Sequence, residues 1–219
     1  MPPTRTARGT RPRASPTLVT AATGASRPTL IAFVRHAESA RNVAKKGNRF
    51  FLDDEARKSV KGVPDHHTPL TERGRRQATD TGVKLRDDLG VFDYAYYSGY
   101  RRTEETLQGL IATYSKAERS RLQVRHHLFL RERDTRAYLF LSMLFRERAG
   151  KRVMVVTHGG TLWMFRMLLE RWTWDEAAEH FHAGTVPQCS VTSYAFDARA
   201  KRLVLQELAK VYYATAGRT

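Results

Sequence analysis

A single three-layer α/β/α domain on a mainly parallel sheet is the fold this sequence predicts. Short apolar runs rich in Val, Ile, Leu, Phe and Tyr alternate with helical patterns, the arrangement of a parallel sheet covered on both faces. Two of these runs end alike: Leu30-Ile31-Ala32-Phe33 leads into Val34-Arg35-His36, and Val153-Met154-Val155-Val156 leads into Thr157-His158. The carboxyl edge of such a sheet is where ligands bind, so two histidines delivered there mark a candidate site for an anion and a nucleophile. With 219 residues, 41% of them hydrophobic, the chain can bury one sizeable core.

Residues 1–28 hold Arg5, Arg8, Arg11, Arg13 and Arg27 and no acidic residue, amid Pro, Thr, Ala, Ser and Gly. Such a segment buries too little apolar surface to offset its ordering entropy, so a disordered basic tail is expected ahead of one domain at 29–219. The tail's make-up is transit-peptide-like without the apolar stretch of a secretory signal, but a mis-assigned start or a plain tail is the favoured reading. A first strand is expected at 29–35 and a helix from Ser39, followed by a long polar connection over 45–68. Thr71 is a good N-cap with Glu72 behind it, and Ala78, Gly82, Leu85 and Leu89 form the inner stripe of that helix. A strand at 92–97 leads to a helix at 100–115, and Leu122-Gln123-Val124 makes a short strand. A helix at 135–148 stops at Gly150, a strand fills 152–157, and a helix at 160–172 carries Leu162, Phe165, Leu168, Leu169 and Trp172 on its apolar positions. Strands at 190–196 and 203–208 flank an Asp-Ala-Arg turn and predict a hairpin. Trp163, Trp172 and Trp174 are expected as core and helix-end packing.

The net charge of +16 invites a nucleic-acid reading, but part of the excess is the tail. No arginine-rich helix face can be separated from the candidate site. No stretch approaches the ~20 apolar residues of a membrane-spanning helix. The single cysteine, Cys189, excludes an internal disulfide and a cysteine-rich metal site, and suits a reducing, cytoplasmic setting. His66-His67 and His126-His127 are adjacent pairs without a partnering carboxylate–cysteine pattern, so no metal is expected there. Neither a Walker-type phosphate loop nor a dinucleotide glycine fingerprint occurs.

Arg35-His36 with Ser39 and Asn42, then Pro69-Leu70-Thr71 with Gly74 and Gln77-Ala78, then Ser98, Arg102 and Thr106, then Glu132, His158-Gly159 and the run from Pro187 to Thr192 follow one another in order. In this series the chain resembles the phosphoglycerate-mutase-like histidine phosphatase superfamily, on its phosphatase branch, over about residues 29–210. The resemblance implies a phosphohistidine at His36, a phosphoryl group held by Arg35, Arg102 and His158, and Ser39, Asn42 and Gly159 lining the pocket. It implies a proton donor at Glu132, with Asp134 as the alternative. The expected activity is a metal-independent, cofactor-free phosphomonoesterase acting on a phosphorylated small molecule or phosphoprotein. Membrane is not an expected partner and nucleic acid is disfavoured; oligomeric state leaves no signal.

These residue types suit that chemistry. Charge on the oxygens of a transferring phosphoryl group calls for positioning and electrostatic stabilisation, and arginine binds such oxygens bidentately without losing its charge. A nucleophilic imidazole must be neutral, with one nitrogen free and the other held by a backbone carbonyl. An alkoxide leaving group needs a proton, which a partly buried carboxylic acid supplies.

Three departures stand out. Ala37 replaces a glycine usual after the first histidine, and a negative φ would accommodate it. Only 25 residues separate Glu132 from His158, where many relatives insert a longer lid-like segment. Arg41 and Gly160 stand where mutase members carry tryptophan and asparagine, which disfavours the alternative of a phosphoglycerate-type mutase. A basic phosphate- or nucleic-acid-binding protein without catalysis is the remaining alternative, supported by charge alone.

Overall fold

The structure, a computed structural model, describes residues 26–46, 51–132, 136–182 and 186–214. The expected tail, save residues 26–28, lies outside the described residues, as does Asp134. The strands are β1 (Leu30–Arg35), β2 (Tyr94–Tyr97), β3 (Gln123–His126), β4 (Arg152–Thr157), β5 (Val191–Asp197) and β6 (Arg202–Lys210). They form one sheet in the order β3-β2-β4-β1-β5-β6. The first four run parallel, and β5 and β6 close one side antiparallel, joined as the hairpin expected. The Asp197 carboxylate fastens the turn by accepting from the N–H groups of Arg199 and Ala200.

The helices are α1 (Ala40–Ala44), α2 (Asp54–Lys58), α3 (Glu72–Leu89), α4 (Arg101–Leu110), α5 (Lys116–Arg121), α6 (Ala137–Glu147), α7 (Gly159–Glu170) and α8 (Trp174–His182). Strand alternation sends side chains to both sheet faces and explains the three layers. Ile31, Phe33, Val153 and Val155 pack with Phe140 and Leu144 of α6 and Leu162 and Phe165 of α7. Ala32, Val34, Met154 and Val156 pack on the opposite face with Leu85 of α3 and Leu107 and Leu110 of α4.

Several elements differ from the sequence reading. The connection over 45–68 contains α2 and a 3-10 turn, Asp65–His67. The helix expected at 100–115 stops at Leu110, and α5 restarts from a reciprocal cap in which Ser115 and Glu118 bind each other's backbone N–H. Likewise α8 begins where Thr173 and Glu176 do the same. Arg171, at φ 59°, ends α7 before Trp172. Trp163 and Trp172 meet edge to face at 6.3 Å, but Trp174 is 78% exposed and packs no core. Among the described residues no helix is long and apolar enough to cross a membrane.

Candidate active site

The topology makes β1 and β4 parallel neighbours in register, Arg35 beside Thr157, so the next residue of each strand arrives at the same place. The His36 N–H donates to the Thr157 carbonyl (2.9 Å), and the rings of His36 and His158 lie 5.2 Å apart. Ser98, just past β2 on the other side of β4, completes the edge: its Oγ is 2.8 Å from His158 Nε2. Arg102 enters from the first turn of α4, and α7 opens at Gly159 with first-turn amides that lack intrahelical partners.

The turn after β1 is bolted down by the residues singled out downstream. The Ala37 N–H donates to Thr106 Oγ1 (3.0 Å), whose hydroxyl donates to the Arg102 carbonyl (2.6 Å). The Glu38 N–H donates to Gln77 Oε1 (3.0 Å), and the Thr71 hydroxyl donates to the Glu38 carboxylate (2.8 Å). Gly74 lets the turn lie on α3, since a Cβ there would sit 2.0 Å from the Glu38 carbonyl oxygen. Ala37 is fully buried and keeps a negative φ. Ser39 and Asn42, expected to line the pocket, are engaged with each other: the Asn42 carboxamide oxygen accepts from both the N–H and the hydroxyl of Ser39. A Cβ on Gly159 would meet Arg35 Nε at an ordinary 3.5 Å.

Hydrogen-bond counting assigns the imidazole protons. His36 Nδ1 lies 2.8 Å from the Ala37 carbonyl, which only accepts, so Nδ1 carries the proton and Nε2 presents its lone pair. The Thr103 hydroxyl gives its single proton to the Tyr100 carbonyl (2.7 Å). Its 2.9 Å contact with Ser98 Oγ therefore uses the serine proton, and His158 Nε2 is left to donate to Ser98. His158 Nδ1 has no hydrogen-bond partner and lies 3.9 Å from Glu132 Oε2.

Three arginines and two carboxylates surround the histidines. Arg35 Nη1 donates to the Val186 carbonyl. Burial lowers the Arg35 pKa, opposed chiefly by the charge of Glu132. Arg102, its side chain 4% exposed, donates to the carbonyl and carboxylate of Asp65 and to Glu132 at 3.3 Å. Arg41 Nε lies 3.1 Å from the same Asp65 carboxylate. Glu132 is 41% exposed at the open side of the site. Asp65 and Thr103 escaped the sequence reading: the acid lies in a connection read only as long and polar, and the threonine is one residue past the Arg102 signal. His66 and His67 follow Asp65 in its 3-10 turn, with the His66 ring 6.3 Å from that of Tyr100, and no cluster of His, Cys, Asp and Glu able to hold a metal occurs among the described residues.

Burial holds both imidazoles well below the ordinary value of 6.5, with the charges of Arg102 and Arg35 adding to it at His36. At His158 the same burial is reinforced by His36, then by the two arginines. Both rings are neutral in the folded protein near neutral pH. In the unfolded chain they bind protons below about pH 6.5, so the unfolded state gains protons that the folded state refuses. Stability is therefore expected to fall as pH drops below about 6.5, with no contribution from these rings above it. Thermal unfolding between pH 7.5 and 5.5 should show the midpoint falling, and His36→Gln should flatten part of the slope. A midpoint unchanged across that range would contradict the buried neutral pair.

Comparison with known proteins places these observations in a family. The profile of the histidine phosphatase superfamily (branch 1) matches residues 31–138 and 129–208. A phosphoglycerate mutase-like protein of Arabidopsis thaliana is 32% identical over 117 residues, a match covering 49% of this chain and only 37% of that relative. The crystal structure of the alpha-ribazole phosphatase from Shigella flexneri superposes with a TM-score of 0.57 at 18% identity, covering 86% of this chain and all of the other. Phosphoglycerate mutase from Plasmodium falciparum superposes with a TM-score of 0.56 at 18% identity, covering 87% of this chain and 96% of that one. At such identities the structural likeness speaks to the fold, which is that of the phosphoglycerate mutase-like proteins.

Proposed function

This chain belongs to the histidine phosphatase superfamily, and we propose that it is a metal-independent phosphomonoesterase working through a phosphohistidine at His36. The observation that carries this reading is the 2.8 Å hydrogen bond from His36 Nδ1 to the Ala37 carbonyl, which leaves Nε2 unprotonated on a ring that the charges of Arg102 and Arg35 act on.

The Nε2 lone pair forms the bond to phosphorus as the ester P–O bond breaks, and Glu132 gives its proton to the departing alkoxide. Arg35, Arg102 and the N-terminus of α7 hold the charge on the phosphoryl oxygens. Once the substrate dianion is seated, its charge favours a proton on His158 Nδ1, taken up from solvent, and the ring joins them as a donor, while the Glu132 proton goes to the alkoxide alone. In the second half the Glu132 carboxylate takes a proton from water, the water oxygen bonds to phosphorus, the P–Nε2 bond breaks and inorganic phosphate leaves. The substrate is a phosphorylated small molecule or a phosphoprotein, and a cytoplasmic setting accords with the one cysteine being a buried free thiol.

Full turnover of an aryl phosphate in excess EDTA is the expected result, together with an acid-labile, base-stable phosphoenzyme in rapidly quenched samples. Loss of activity on chelation would overturn the metal-free reading.

A further inference from the structure

Resting on the phosphatase reading and deepening it, we propose that Asp65 is an internal competitor for the phosphoryl seat on Arg102, and that Arg41 receives its carboxylate when substrate enters. The argument is a count of donors. Arg102 has four hydrogens on its two terminal nitrogens, and four contacts use them: Nη1 to the Asp65 carbonyl (2.7 Å) and Oδ1 (3.3 Å), Nη2 to Asp65 Oδ2 (3.3 Å) and to Glu132 Oε2 (3.3 Å). A bidentate grip on a phosphoryl group needs two of these hydrogens back. The side chain is nearly closed to solvent, so the anion has no second face to approach.

Asp65 is the group built to withdraw. It belongs to the short 3-10 turn Asp65–His67, its side chain is 40% exposed, and Oδ1 already lies 3.1 Å from Arg41 Nε. Rotation about its own side-chain bonds transfers the carboxylate from one guanidinium to the other without stranding a charge. The Asp65 carbonyl stays on Nη1 and keeps Arg102 oriented. Arg41 is held for this exchange by α1, whose start is fixed by the Ser39–Asn42 pair. The seat thus has an entry threshold: a phosphomonoester dianion outcompetes a carboxylate monoanion for Arg102, whereas a phosphodiester monoanion gains little.

Calorimetric titration of inorganic phosphate into the full chain at pH 8 and low salt tests this without turnover. Asp65→Asn is expected to bind phosphate about tenfold more tightly than the wild type, the scale of one competing charge-assisted hydrogen-bond pair. Asp65→Glu, which restores the competing charge, should lose that gain. Arg41→Gln should weaken phosphate binding in the wild-type background and leave it unchanged in the Asp65→Asn background. Equal or weaker binding by Asp65→Asn would overturn the proposal, because an acid that merely orients Arg102 must lower affinity when removed. Equal loss from Arg41→Gln in both backgrounds, or no binding by any variant, would overturn it too. Failure of the phosphatase reading shows separately, as a chain that binds phosphate and hydrolyses no aryl phosphate.

Discussion

Replacing His36 with alanine is expected to lower aryl phosphate turnover by on the order of 10⁴-fold or more, and to remove the quenched phosphoenzyme entirely. The size follows from the role: His36 Nε2 is the unprotonated nitrogen that the hydrogen-bond count leaves free for attack. His158 is committed through Nε2 to Ser98, and its Nδ1 faces Glu132. His158→Ala should accordingly slow formation and breakdown of the phosphoenzyme while leaving it trappable. The two variants together separate a nucleophile from a charge-stabilising neighbour. If phosphoenzyme formed normally without His36, the attacking group would have to be sought elsewhere. The thermal midpoint of His36→Ala near pH 8, where the imidazole is neutral in both the folded and unfolded chain, separates lost fold from a lost nucleophile.

The parts of the site that sequence could reveal are those whose position follows from local pattern. An apolar strand running into Arg35-His36, and another into His158, put both rings at one sheet edge once a parallel sheet is assumed. Register then does the rest, because Arg35 and Thr157 are direct partners. Asp65 could not be found this way. It reaches Arg102 across 37 positions from a connection without apolar periodicity, and nothing local marks an acid there as facing inward. At Ser39 and Asn42 a motif match suggested a place in the pocket lining, and what the structure adds is that their side chains are bonded to each other at the start of α1. The helices missed, α2, α5 and α8, lack a long apolar stripe, yet each starts from a readable cap at Asp53, Ser115 or Thr173. Periodicity reports only on helices that help fill the core; caps report on the rest.

Gly82→Ala should destabilise the protein by about 2 kcal/mol, even though a glycine in the middle of an 18-residue helix is ordinarily improved by alanine. Helix propensity alone favours the substitution by up to about 1 kcal/mol. Packing opposes it more strongly. A Cβ at Gly82 would lie 2.4 Å from the Leu110 carbonyl oxygen and 2.8 Å from its carbonyl carbon and Cα, all backbone atoms that no rotamer can move. On the facing helix a Cβ at Gly109 would come within 2.5 Å of the Ala78 Cβ, so α3 and α4 touch through two glycines and cannot slide apart at one alone. Forcing a methyl into such a contact costs about 3 kcal/mol, and the difference should appear as a midpoint lowered by roughly 4–8 °C for a domain of this size. Gly160→Ala is the control: it is also helical and a Cβ there meets nothing within 4 Å, so its midpoint should hold or rise. Because α4 carries Arg102, displacing it should also weaken phosphate binding in Gly82→Ala before the protein unfolds. A Gly82→Ala midpoint at or above that of the wild type would mean that α4 yields easily, and Arg102 would then need some other anchor than the α3–α4 contact.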